Sequence, residues 1–150
     1  MPFRRGDIVL VPFPFTDLTR QKARPAVVVS SQSFSTSSPD VILVAISSKL
    51  PAIPSDMELI IRHGSDEFRS TGLRVSSVVR TAKLVTLKQS LIYRTLGKLD
   101  DRTMGEVDER LTRAVGLRSL SEEIAVRRAA ETQVEELAAR IDHLEEQLAK

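Results

Sequence analysis

Ile8-Val9-Leu10-Val11-Pro12-Phe13, lying directly behind a Gly6-Asp7 pair, is the stretch that decides the fold class. Six apolar residues, three of them β-branched, are too few for a helix, and a turn pair precedes them. They read as a buried strand. Pro12 and Pro14 lack the N–H that a ladder needs, so the far end of that strand belongs at a sheet edge or a bulge. Working outward, the polar segment Phe15 to Ala23 predicts a long loop. Pro25 to Ser30 (PAVVVS) predicts a second strand and Val41 to Ile46 (VILVAI) a third. The Ser-rich span Ser31 to Pro39 predicts an exposed connection. Met57 to Ile61, Gly72 to Val79 and Lys83 to Leu87 predict three further short strands. Closely spaced short strands without crossover helices predict a mainly β chain folded as a small antiparallel barrel.

Helical periodicity appears only after the strands. Asp100 is placed to cap a helix whose Met104, Val107, Leu111 and Val115 pack one face on the barrel, and Gly116 closes it. A second helix starts at Ser121. In it Val134, Leu137, Ile141, Leu144 and Leu148 recur at spacings of three and four, an a/d seam, with Glu123 and Arg127 interrupting the pattern upstream. So short a seam is marginal alone and calls for a partner helix. The chain therefore divides into a domain at 1–118 and a helical, coiled-coil-like tail at 119–150. The tail either joins a dimer or folds back on its own body.

Charge divides the same way. The tail holds four basic against eight acidic residues, a net of −4, and leaves the body 18 basic against 12 acidic, a net of +6. A body at +6 suits a polyanionic partner. Cys is 0, so disulfides and thiolate metal sites are excluded. The two histidines, His63 and His143, lie far apart in sequence, which argues against a His-based cage, and neither a metal nor another cofactor is expected. No apolar run approaches the ~20 residues of a membrane span, and Met1 to Asp7 does not read as a signal peptide, so no membrane association and a cytoplasmic location are expected.

The familiar catalytic constellations are missing: no Gly-rich phosphate loop, no HExxH, no Ser/His/Asp set with a suitable histidine. Arginines and hydroxyls near strand ends remain, and they fall into ordered blocks. Gly6 to Phe13, a polar loop, and Arg24-Pro25-Ala26-Val27-Val28-Val29-Ser30 form the first block. Ala45-Ile46-Ser47-Ser48 is next, then Gly72-Leu73 with Ser76-Ser77-Val78-Val79-Arg80, and then Leu96-Gly97-Lys98-Leu99 before the closing helix. Over residues 4–117 this order resembles the PemK/MazF family of toxins. The resemblance implies an SH3-like barrel of the CcdB/PemK kind with a packed C-terminal helix. It implies a homodimeric mRNA interferase, a metal-independent endoribonuclease that cuts single-stranded RNA and is held inactive by a cognate antitoxin. DNA would be met only indirectly, through the toxin–antitoxin complex. The tail lies outside the resemblance.

Carried residue by residue, the family's catalytic pair becomes Arg24 and Ser47. Ser47 stands where the family has threonine, so the hydroxyl survives and the methyl that stiffens it is lost. Arg80 matches an arginine that assists in plasmid-borne members. The acidic residue two positions later in those members is Ala82 here.

The chemistry open to such residues follows from RNA itself. The ribose 2′-OH is an internal nucleophile beside the phosphorus and leaves a cyclic phosphate, so the enzyme must stabilise the developing charge and move protons. Arg24 is assigned first to electrostatic stabilisation, because a guanidinium grips phosphate oxygens in a fork and holds its proton tightly. Ser47 would donate a hydrogen bond, and Arg80 would add a second positive charge. Asp17, Lys22, Ser48 and Phe15 are expected to contact substrate, with Phe15 to Ala23 reading the base sequence. Two other readings stay open. The same fold serves gyrase-poisoning toxins that cleave nothing, and a non-catalytic RNA-binding or scaffold protein could use the tail as its main working part.

Overall fold

The strands bury residues on both faces, which is why the run at Ile8 to Phe13 is continuously apolar and does not alternate. The computed structural model describes residues 2–14, 16–117 and 120–150. Six strands, β1 (Asp7–Pro14), β2 (Gln21–Val28), β3 (Asp40–Ser47), β4 (Glu58–Ile61), β5 (Ser77–Lys88) and β6 (Arg94–Lys98), form one curled antiparallel sheet, a half-barrel, in the order β4-β5-β3-β2-β1-β6. One face contributes Ile8, Val27, Val44, Ile46 and Val79 to a core capped by Met104 and Val107. The other buries Val9, Val11, Ala26, Val28, Leu43 and Ala45. Pro12 and Pro14 stand opposite Ala23 and Gln21, beyond the last β1–β6 pair at Leu10, so β1 is an edge there, as two missing N–H groups require.

Helix α2 (Asp101–Ala114) packs against β4 and β5. Asp100 caps it, accepting the Thr103 N–H at 2.7 Å, and Gly116 closes its end at φ +74. Asp100 has its pKa lowered by that hydrogen bond. The Arg110 Nε donates to the Glu58 carbonyl at 3.0 Å, and Arg5 pairs with Asp108. Val115 is 51% exposed and stands outside the packed face expected of it.

Several elements differ from expectation. β2 begins at Gln21, because Gln21, Lys22 and Ala23 pair with Pro14, Phe13 and Pro12 across the sheet, so the described part of the loop is only 16–20. Ser31 to Pro39 is no plain connection: Ser31 caps a short helix, α1 (Gln32–Ser37), by accepting the Phe34 N–H at 3.2 Å. Ser30 and Ser35 are buried and share a 2.8 Å hydrogen bond. Gly72 to Ser76 is loop, and the two strands expected at Gly72 to Val79 and Lys83 to Leu87 are parts of the single β5. The β3–β5 register jumps between Val44 (opposite Leu84) and Ala45 (opposite Arg80), so Thr81, Ala82 and Lys83 have no partner in β3. That bulge bends β5 and gives the sheet its curl.

The chain resolves into two compact units, Met1–Gly116 and Leu117–Lys150. The second is α3 (Leu120–Leu148), none of whose described residues is buried. No helix among the described residues is long and apolar enough to cross a membrane.

Candidate functional site

Pro25 opens the site. Having no N–H, it cannot continue the β2–β3 ladder, which stops at Ala26 opposite Ala45. Extending that register by two residues sets Arg24 opposite Ser47, on the face that also carries Ala45 and, across the next strand pair, Arg80. The two strands part there, and a cleft of about 330 Å³ occupies the gap. Its wall carries Arg24, Ser47 and Arg80 together with Lys22 and Ser48. Five of the seven expected residues thus converge from three separate parts of the chain.

Two lysines complete the wall, Lys49 and Lys83. Lys83 comes from the β5 bulge, and Lys49 directly follows the Ser47-Ser48 pair. Among the described residues, five cationic side chains and two hydroxyls face the cleft and no carboxylate lines it. The Ser47 hydroxyl accepts the Lys49 N–H at 3.1 Å, which fixes its oxygen and leaves its own proton to donate.

Arg80 is held from behind. Its terminal nitrogen donates to the Lys49 carbonyl at 3.1 Å, and its Nε lies 3.8 Å from the Glu58 carboxylate, which stands opposite it in the β4–β5 register. That contact is too long for a hydrogen bond, and the buried Nε has no hydrogen-bond partner. Glu58 is in turn fixed by the Ser55 N–H at 3.0 Å. The position two residues after Arg80, Ala82, carries no acid; the carboxylate beside Arg80 comes from β4. Sequence reasoning missed Glu58 because the pairing is non-local.

Asp17 lies in an adjoining cavity of about 380 Å³ that shares Arg24 and Lys83 with the cleft. Its carboxylate accepts both the N–H (3.1 Å) and the hydroxyl (2.8 Å) of Thr19, closing a turn in which Leu18 sits at φ 60. Those hydrogen bonds lower its pKa below the usual carboxylate value, which makes it a weak proton acceptor and a poor candidate for the general base. A further cavity of about 550 Å³ borders the cleft at Pro25, Ile46 and Ser48 and carries Arg74 and Arg94. Phe15 lies outside the described residues.

Comparison with known proteins gives the chain's family and fold. Residues 4–115 match the model of a family described as the PemK-like, MazF-like toxin of type II toxin-antitoxin systems. The chain belongs to that family. Among solved structures, a mycobacterial endoribonuclease in complex with its cognate antitoxin superposes with a TM-score of 0.62 at 20% identity, covering 78% of this chain and 98% of the other. MazF from Deinococcus radiodurans (Form-I) gives 0.62 at 19%, covering 78% and 99%. The MazE–MazF structure (Form-II) of the same organism gives 0.58 at 19%, covering 79% and 99%. At such identities these likenesses establish the fold of the toxin body. The family match ends at residue 115, so α3 lies outside the matched region.

Proposed function

We propose that this toxin is a metal-independent endoribonuclease cutting single-stranded RNA through the substrate's own 2′-OH, with Arg24 and Ser47 as the catalytic pair and Arg80 assisting. The observation that carries the reading is the cleft at the β2–β3 fork, where Lys22, Arg24, Lys49, Arg80 and Lys83 surround two serine hydroxyls. Five cations without a carboxylate on the wall make a site for a phosphodiester strand. Arg24 stabilises charge building on the non-bridging oxygens, and the Ser47 hydroxyl donates to the same phosphate. Ser48 and Lys22 hold the flanking backbone, and Asp17 and Phe15 meet a neighbouring nucleotide. Incubating purified protein with a long RNA and EDTA, then sequencing the ends, tests the reading. Discrete cuts ending in cyclic phosphate are expected, and intact RNA would refute it. The toxin works in the cytoplasm as a homodimer and is restrained by a cognate antitoxin, as the mycobacterial endoribonuclease and the Deinococcus MazF are seen with theirs.

Two results separate the roles. Ser47→Thr keeps the hydroxyl and adds a methyl that narrows its rotamers, so cleavage is expected at the parent rate or above. A tenfold loss in a folded Ser47→Thr protein would remove Ser47 from the pair. Glu58 is a positioning residue that aims Arg80. Glu58→Gln deletes a negative charge behind the cleft while loosening that arginine, so kcat falls about tenfold and RNA binding stays equal or tightens. Single-turnover rates set against RNA affinity read the two effects apart. An unchanged kcat would reduce Glu58 to a strand-pairing partner.

A further inference from the structure

Helix α3 carries an apolar seam that its own helix does not cover: Val134, Leu137, Ile141, Leu144 and Leu148 are each between 49% and 87% exposed. At 29 residues the helix is about 43 Å long, well beyond what a surface turn requires. We propose that α3 pairs in parallel with α3 of a second copy of this chain, in register, as a two-stranded coiled coil over Val134 to Leu148.

Three features select that occupant. The first is side-chain shape: β-branched Val134 and Ile141 fall on a positions and Leu137 and Leu144 on d positions, the combination that favours two parallel strands. The second is charge beside the seam. Arg140 occupies a g position and Glu145 the following e position, so each Arg140 meets Glu145 of the other copy, twice by symmetry. Antiparallel pairing sets e against e and brings Glu131 and Glu145 into like-charge contact. The third is the outer face, where Glu135, Glu136, Asp142 and Glu146 stay in water and repel an anionic bilayer. Upstream, Arg127 and Glu123 occupy core positions and pair within their own helix at 4.0 Å, which sets the seam's start at Val134. About two heptads bind weakly between free helices. Linked to bodies that also pair, the second contact becomes intramolecular and strong.

The chain has no cysteine, so single cysteines report orientation directly. Full-length Leu144→Cys under mild oxidation is expected to form a disulfide-linked dimer at least ten times faster than Glu136→Cys, whose side chain lies on the outer face. Adding Arg140→Glu to Leu144→Cys slows the linkage, and adding Glu145→Arg to that pair restores it. Equal rates at residues 144 and 136, or no linkage at 144, would overturn the pairing and leave the seam to another partner. Linkage of Val134→Cys to Leu144→Cys in a mixture, faster than either with itself, would overturn the parallel orientation.

Discussion

Arg24→Ala is expected to lower RNA cleavage by on the order of 10³-fold while leaving the toxin body as stable as the parent. Removing one donor from a site that stabilises developing charge costs roughly 3–4 kcal/mol of barrier, and a full positive charge belongs at the top of that range. The structural cost is small because Arg24 is half-buried at the end of the β2–β3 ladder, while its backbone stays in register with Val11. The remaining cations, Lys22, Lys49, Arg80 and Lys83, still hold the strand, so RNA affinity falls far less than the rate. Arg24→Lys separates charge from geometry: the charge returns but the planar fork does not, and only part of the rate is recovered. The measurement is single-turnover cleavage of a defined RNA in EDTA, with thermal melts of each variant alongside. Undiminished cutting by a folded Arg24→Ala protein would move the chemistry elsewhere.

How much of this could be read from the chain depends on whether the deciding interaction is local. The runs at Ile8 to Phe13, Pro25 to Ser30 and Val41 to Ile46 are legible because strands buried on both faces must be continuously apolar. The cap at Asp100 and the closing Gly116 are local chemistry and were equally plain. β5 was not, because its three-residue bulge interrupts the pattern and makes one bent strand look like two. β6 was hidden too, since an edge strand with Arg94, Thr95 and Lys98 exposed and Gly97 inside it has almost no apolar signature. Arg24, Ser47 and Arg80 were found through ordered blocks of sequence; the reason they meet, a ladder cut short by Pro25, needed the register. Lys49 carried a local signal, standing next to the hydroxyl pair. Glu58 carried none, because its partnership with Arg80 exists only once β4 lies beside β5.

The blocks holding Gly72 and Gly97 acquire a physical meaning from a close backbone crossing, and with it the largest expected loss of stability. The loop after β4 crosses β6 so closely that a Cβ on Gly97 would lie 2.3 Å from the Ser70 carbonyl oxygen and 2.5 Å from the Thr71 carbonyl carbon. Within that loop a Cβ on Gly72, at φ +71, would lie 2.0 Å from the Leu96 oxygen of β6. All of these are backbone atoms, which cannot rotate aside. Gly97→Ala must therefore separate the two segments and break the pair of hydrogen bonds that joins them, Lys98 N–H to Ser70 O at 2.9 Å and Ser70 hydroxyl to Lys98 O at 2.8 Å. A cost of roughly 3 kcal/mol or more is expected, a fall of about 10 °C or more in Tm. Gly105→Ala supplies the contrast: it lies in α2 with nothing within 4 Å of its added Cβ, so helix propensity raises stability by about 0.5–1 kcal/mol. Denaturant unfolding of both variants decides the matter, and parent-like stability in Gly97→Ala would mean that the crossing is looser than described. Because Gly72 and Leu96 also line the cavity that borders the cleft at Pro25, Ile46 and Ser48, the crossing that stabilises the body also shapes the ground beside the proposed RNA site. Cleavage by Gly97→Ala should then fall even at temperatures where most of the protein remains folded.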